Sequence, residues 1–236
     1  MLEARFESPL AHAEAATNTY VSLREIAERG MIDLRGLGTD KKFMAAAKAV
    51  LDVDLPKQPR TAATWGDIRV FWLSPDQWLI TCPRARAQEL TDALTKELEG
   101  IHSLAVNVSD MRAIIRLEGE GVREVVMKGT SIDLTHGDYP PGTVRRMRFA
   151  EIAALLHIVE DSVIDIYVFR SYAQYTWDFL RKAALKGSVN VKSAAAASYC
   201  YLSGTRHSLS IEGQGDQAVF RIDGSGSALR HAGRGL

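Results

Sequence analysis

The chain has 236 residues, 46% of them hydrophobic and 25% charged, the balance of a soluble globular protein with room for one large domain or two small ones. Lysine plus arginine and aspartate plus glutamate both total 29, and a net charge of zero removes the electrostatic footprint that nucleic-acid binding requires. The cysteines, Cys82 and Cys200, are too few for a disulfide framework or a structural zinc site.

In chain order, the opening "MLEARFESPLAHAEAA" carries acidic residues and no apolar core of signal-peptide length. No later run approaches the ~18 apolar residues of a membrane span, so a cytoplasmic location is expected. Met31 to Arg35 alternates apolar and polar residues, as a half-buried strand does. Past Gly36-Leu37-Gly38, Thr39 or Asp40 can cap a helix carrying Phe43, Met44, Ala47, Val50 and Leu51. "LPKQPRTAATWGD" reads as a loop. Arg69–Leu73 and Trp78–Thr81 are rich in β-branched and aromatic residues around Ser74-Pro75-Asp76-Gln77, a turn with proline at its second position. That predicts a hairpin whose Trp72 and Trp78 either fill the core or offer aromatic surface to a partner.

A second helix is expected over 84–99, with Ala87, Leu90, Leu94 and Leu98 in one stripe and Gly100 ending it. "SLAVNVS" and "AIIRLEG" read as strands, "GVREVVMK" as a short helix, and 143–148, 151–158 and 163–169 as strands. The last helix opens at "SYAQ", where Ser171 and Gln174 form a capping box ahead of Ala173, Trp177, Leu180 and Ala184 on one face. Helices alternate with pairs of strands, an α+β pattern built from split βαβ (ferredoxin-like) units. From Gly187 to Leu236 the chain turns rich in Gly, Ser and Ala. A poorly packed or disordered tail is expected there, in which "SLSIEG" and "AVFRIDG" could form a weak hairpin.

No reactive constellation assembles from these residues. "GLG" (36–38) and "GEG" (119–121) lack the third glycine of a dinucleotide fingerprint, "MKGT" (127–130) lacks the order of a P-loop, and "GSGSA" (224–228) misses the nucleophile-elbow glycine. The histidines show no i, i+4 pair, and His157 within "ALLHIV" reads as a satisfied strand histidine. Asp161 and Asp165 could share a strand face, although "EDS" places Asp161 in a turn. Arg145-Arg146-Met147-Arg148 reads as a solvated face or a partner contact.

Four segments carry a resemblance: "LRGLGTDKKFMAAAKAVLDVDLP", "FWLSPDQWLI", "AVNVSDMRAIIRLEGEGVREVVMKGTSIDL" and "IYVFRSYAQYTWDFL". In this order they resemble the gamma subunit family of bacterial heterotetrameric sarcosine oxidase, over a domain spanning residues 8–186. That family is similar in turn to the folate-binding fold of the glycine-cleavage T-protein, which implies a T-protein-like α+β fold here. Where the T-protein carries its glycines and catalytic acid, this chain has Ala153, Ala154 and Leu155, so the resemblance implies the fold without that chemistry.

The resemblance implies a noncatalytic subunit assembled with alpha, beta and delta partners. The complex would convert sarcosine to glycine with formation of hydrogen peroxide and 5,10-methylenetetrahydrofolate. FAD, FMN, NAD, tetrahydrofolate and zinc would belong to the partner subunits, with no cofactor, metal or catalytic residue in this chain. Trp78 and Arg112, in the most family-specific segments, are the candidate subunit-interface residues. One alternative keeps the gamma role but places it in a related methylamino-acid dehydrogenase, such as one acting on N-methylglutamate. Another is a stand-alone folate-binding aminomethyltransferase, which would need an acid in the 150–158 strand or a surrogate such as Asp161 or Asp165 reaching the site.

Overall fold

The computed structural model describes residues 6–13, 20–135 and 137–185 in full, and 16–17, 199–202, 205–212 and 219–223 by backbone. Contacts divide the chain into two units, Met1–Lys186 and Gly187–Leu236.

In the first unit two runs of strands and helices follow one plan. The first run is β3 (Arg29–Gly36), α1 (Lys41–Leu51), β4 (Ala62–Trp65), β5 (Ile68–Ser74), β6 (Gln77–Pro83), a 3-10 turn (Arg84–Arg86) and α2 (Ala87–Glu97), then β7 (Ser103–Asn107). The second is β8 (Arg112–Glu118), α3 (Val122–Met127), β9 (Val144–Phe149), β10 (Ile152–Glu160), β11 (Val163–Phe169), a 3-10 turn (Arg170–Tyr172) and α4 (Ala173–Ala183). Ahead of both lie β1 (Ala16–Thr17) and β2 (Ser22–Glu25). The sheet orders are β4-β5-β6-β3-β7 and β1-β2-β8-β11-β10-β9, with antiparallel neighbours throughout.

Since β6 and β7 both run antiparallel to the β3 strand between them, β6-α2-β7 is a split βαβ unit, as the sequence predicts. In the second half the place of β7 is taken by β2, which pairs with β8 from ahead of the whole first half.

Three apolar clusters define four layers. Phe43, Ala47 and Leu51 of α1 and Leu90 and Leu94 of α2 pack on Ile32, Leu34, Val70, Trp78 and Ile80 of the first sheet. Val122, Val125 and Val126 of α3 and Trp177 and Leu180 of α4 pack on Ile115, Leu117, Leu156, Ile164 and Ile166 of the second. Between the sheets lie Met31, Phe71, Leu73 and Leu79 from one and Ile114, Val144, Leu155 and Tyr167 from the other. Both faces of each central strand are therefore covered, and β6 and β11 each bury five consecutive residues instead of alternating.

Local signals place most boundaries. Asp40, not Thr39, caps α1 by accepting from Lys42 N at 2.8 Å. Gly100, at φ +78°, follows α2 and lets the chain turn away. Three expectations need correction. The stretch read as a loop before the hairpin contains β4, an edge strand with no fully buried position to give it a pattern. The helix expected over 84–99 opens as a 3-10 turn and is α-helical only over 87–97. The capping box of Ser171 and Gln174 does not form. Ser171 lies in the 3-10 turn, Tyr172 precedes the helix without a side-chain cap, and Gln174 Nε2 donates to Asp178 instead.

In the second unit, Tyr199–Leu202, Thr205–Glu212 and Val219–Asp223 form a three-stranded antiparallel sheet containing the expected hairpin; the rest of the tail lies outside the described residues. No helix among the described residues is long and apolar enough to cross a membrane.

Candidate subunit interface

Trp78, expected at a partner interface, is core. It is 1% exposed, its ring lies 5.6 Å from that of Phe43, and its Nε1 donates to Pro56 O at 2.8 Å. The burial has a local cause: Trp78 is the second residue of β6 and points to the helix side, where α1 closes over it. Gly36 allows that closure, since a Cβ there would sit 2.3 Å from the Phe43 ring. The "GLG" turn thus serves packing. Trp72, its cross-strand partner, is half-buried.

Arg112, the other expected interface residue, is half-buried at the start of β8. Its guanidinium stacks on the Phe169 ring at 4.6 Å, and its Nε is buried with no hydrogen-bond partner. Burial pulls it below the usual guanidinium range, with Asp33 supporting the charge and Arg146 opposing it. The intramolecular pairing that sequence proximity invites does not occur: Asp110 pairs with Arg84 at 2.7 Å.

Around Arg112 lies a shallow recess of about 300 Å³, counting the solvent at its mouth, lined by Arg29, Arg84, Arg112, Arg170, Glu25 and Phe6 among others. The first half supplies Arg29, the first residue of β3, and Arg84, the first of its 3-10 turn; the second supplies Arg112 and Arg170 from the same two places. The backbone repeats as well. Arg84 N donates to Glu28 O and Arg170 N to Met111 O, each at 2.9 Å and each to the residue before the first strand of its half. Arg29, Arg84 and Arg170 were not singled out from sequence. The signal was present as Arg-x-x-Ala-Gln, found at 84–88 and again at 170–174.

The remaining cluster of ionisable groups sits between the sheets. Asp165, 1% exposed on β11, accepts from Arg116 Nε at 2.6 Å and Nη2 at 2.8 Å, and Arg69 of the other sheet approaches to 3.6 Å. His157 on β10 pairs in register with Asp165, and its ring lies 4.8 Å from that of Phe71. Burial lowers its pKa from 6.5 to about 4 against the supporting charge of Asp165, with Arg69 and Arg116 opposing protonation. His157 is a strand histidine as expected, but not a satisfied one, because Nδ1 has no hydrogen-bond partner. Burial also raises the Tyr167 hydroxyl, with Asp165 adding to the effect. Asp161 does not join Asp165. It is exposed in the β10–β11 turn and pairs with Arg123 at 3.1 Å. Neither acid is poised for proton transfer: one is held by two arginines and the other is at the surface. Among the described residues no cluster of three or more His, Cys, Asp or Glu could hold a metal ion.

A chain of heterotetrameric sarcosine oxidase from Corynebacterium sp. U-96, solved with pyrrole 2-carboxylate, superposes with TM-score 0.71 and 26% identity, covering 78% of this chain and 97% of that one. The glycine cleavage system aminomethyltransferase T from Bartonella henselae shares the fold at TM-score 0.53 and 15% identity, over 70% of this chain and 46% of that protein. The T-protein-like α+β fold implied by the sequence resemblance is the fold observed. No curated protein matches the sequence. Residues 35–186 match the family described as sarcosine oxidase, gamma subunit, well over half of the chain, and the protein belongs to that family.

Proposed function

We propose that the chain is a noncatalytic gamma subunit of a heterotetrameric oxidase that demethylates sarcosine to glycine, forming hydrogen peroxide and 5,10-methylenetetrahydrofolate. The observation that carries this reading is the likeness to the Corynebacterium heterotetramer, which spans 97% of that chain at 26% identity. Under it, alpha, beta and delta subunits are the partners, and FAD, FMN, NAD, tetrahydrofolate and zinc reside in them. The geometry supports a noncatalytic role in one respect. Asp165, the one buried acid among the described residues, has both oxygens committed to Arg116.

The test is recovery of the tagged full chain from its native host. Flavin-bearing chains should co-purify, and the preparation should release hydrogen peroxide on addition of sarcosine. Oxidation of a different methylamino acid would move the chain to a related complex. A stoichiometric flavin spectrum or tetrahydrofolate binding by the isolated chain would overturn the noncatalytic reading.

A further inference from the structure

Four arginines meet in the recess, and three of them have polar partners within the chain. Arg29 Nη2 donates to Asp67 O at 2.7 Å and to Thr81 Oγ1 at 3.3 Å. Arg84 pairs with Asp110 and stacks on Phe6 with 4.0 Å to the ring centroid. Arg170 donates to Glu7 O. The guanidinium of Arg112 alone among the four makes no hydrogen bond or ion pair with the described residues, and what it has is the face of Phe169. A guanidinium stays charged in a protein, so Arg112 bears a partly desolvated charge with no counter-charge in contact.

We propose that this recess docks a carboxylate carried by an acidic segment of a partner subunit, with Arg112 as its receptor. The proposal rests on the reading of the chain as a subunit. A carboxylate can take two parallel hydrogen bonds from the Nη atoms of Arg112, which are accessible and have no hydrogen-bond partner among the described residues, while Nε stays buried beneath them. The local charge favours a single negative group over a polyanion, because Glu25 and Glu28 line the same recess and Asp110 already neutralises Arg84. Most of the space is open solvent at the mouth, so the recess is a shallow surface for a side-chain group and not an enclosed small-molecule site. The surroundings have the composition of an interaction hot spot: Phe6, 40% exposed, lines the recess and Phe169, 37% exposed, stacks on Arg112, beside the four arginines.

The experiment compares wild-type full chain with Arg112→Gln and Arg112→Lys in reconstitution with the co-purified partner subunits, across a range of salt concentrations. Arg112→Gln should weaken assembly by at least about 30-fold, as loss of a desolvated charge pair does, and should flatten its salt dependence. Its own melting temperature should hold or rise, since an unpaired charge has been removed. Zero-length carbodiimide coupling of the Arg112→Lys complex should link position 112 to an Asp or Glu of a partner. Unchanged affinity for Arg112→Gln, or a melting temperature lower by more than about 5 °C, overturns the proposal, since the guanidinium is then idle or used inside its own chain. A carbodiimide link formed only within the chain also overturns it. In all these cases wild type still assembles and the subunit reading survives. Failure of the wild-type chain to bind any flavin-bearing partner overturns both.

Discussion

Phe71 and Leu79 face each other across β5 and β6, and His157 and Asp165 face each other across β10 and β11. The two pairs occupy matching places in two copies of one motif: a hairpin, a seven-residue strand, a 3-10 turn and an eleven-residue helix. Both pairs point into the same layer between the sheets, yet one is apolar and the other ionisable. The polar pair is tolerated because cations arrive from both sheets, Arg116 from beside Asp165 and Arg69 from across the layer. An ion pair in such a place gives little net stability but penalises every arrangement that separates its partners. The first half is thus held by shape, and the second by shape and a charge that fixes where the first half must lie.

The helix-facing layer shows a second difference. The first half puts its bulk on the strand, Trp78, and Thr91 on the helix; the second puts Ile164 on the strand and Trp177 on the helix. The largest expected effect breaks the first of these. Trp78→Ala should cost toward the upper end of ~3–5 kcal/mol of fold stability, because the cavity adds to the lost bond with Pro56. Urea denaturation of the purified chain measures it, and a loss below ~1 kcal/mol would mean that the Trp is not core.

Asp165→Asn should follow, at about 3 kcal/mol. This is the lower end for a broken buried pair, since the Arg69 side chain keeps 29% of its surface in solvent. Asp165→Leu, which copies the first half, should not rescue stability while Arg116 stays charged beneath it. Restoration would require Arg116 to be made apolar as well, and a double-mutant comparison reads that coupling.

The third effect depends on pH. His157 titrates near 4 when folded and near 6.5 when unfolded, so the unfolded chain binds the extra proton between those values. Its contribution is complete above about pH 6.5, is lost as pH falls through the window, and stops changing below about 4. The full loss is up to about 3 kcal/mol. His157→Phe, which makes the position match Phe71, should flatten this slope in denaturation midpoints taken from pH 7 to pH 4. An unchanged slope would assign it to other groups.

The smallest effect compares helix starts. Asp40→Ala should cost about 1 kcal/mol, because its side chain caps α1, whereas Ser171→Ala ahead of α4 should cost close to nothing. Equal thermal shifts in the two variants would show that the cap on α1 is idle.

Much of this was legible in the sequence. The Pro75-Asp76 turn, the apolar stripe of α2 and the three strands after residue 143 lie where periodicity and turn chemistry put them. The misses share a physical cause. An apolar strand covered on both faces carries no alternation, so Trp78 could not be assigned a side from its neighbours. Ala62–Trp65 is an edge strand without buried positions, and Ser22–Glu25 is four residues long with one. Each lacks a pattern of its own and is a strand because a neighbour offers it hydrogen bonds. The arginine recess was hidden for a different reason. Its members are far apart in sequence, and only the repeat brings them together.

The borrowed strand β2 also bears on how the protein is made. The first half holds all five strands of its sheet in one uninterrupted stretch and can close as soon as α2 and β7 have left the ribosome. Ser22–Glu25, synthesised earlier, has only the two-residue β1 as a partner until β8 follows the whole of that half. During this interval the edge of β2 that β8 will cover is open, and the second sheet, when it forms, has an open edge at β8 if β2 is late. A bulky fusion or a cleavage ahead of β3 would prolong that state. The hazard is exchange of β2 between two nascent chains, with the first half already folded in each.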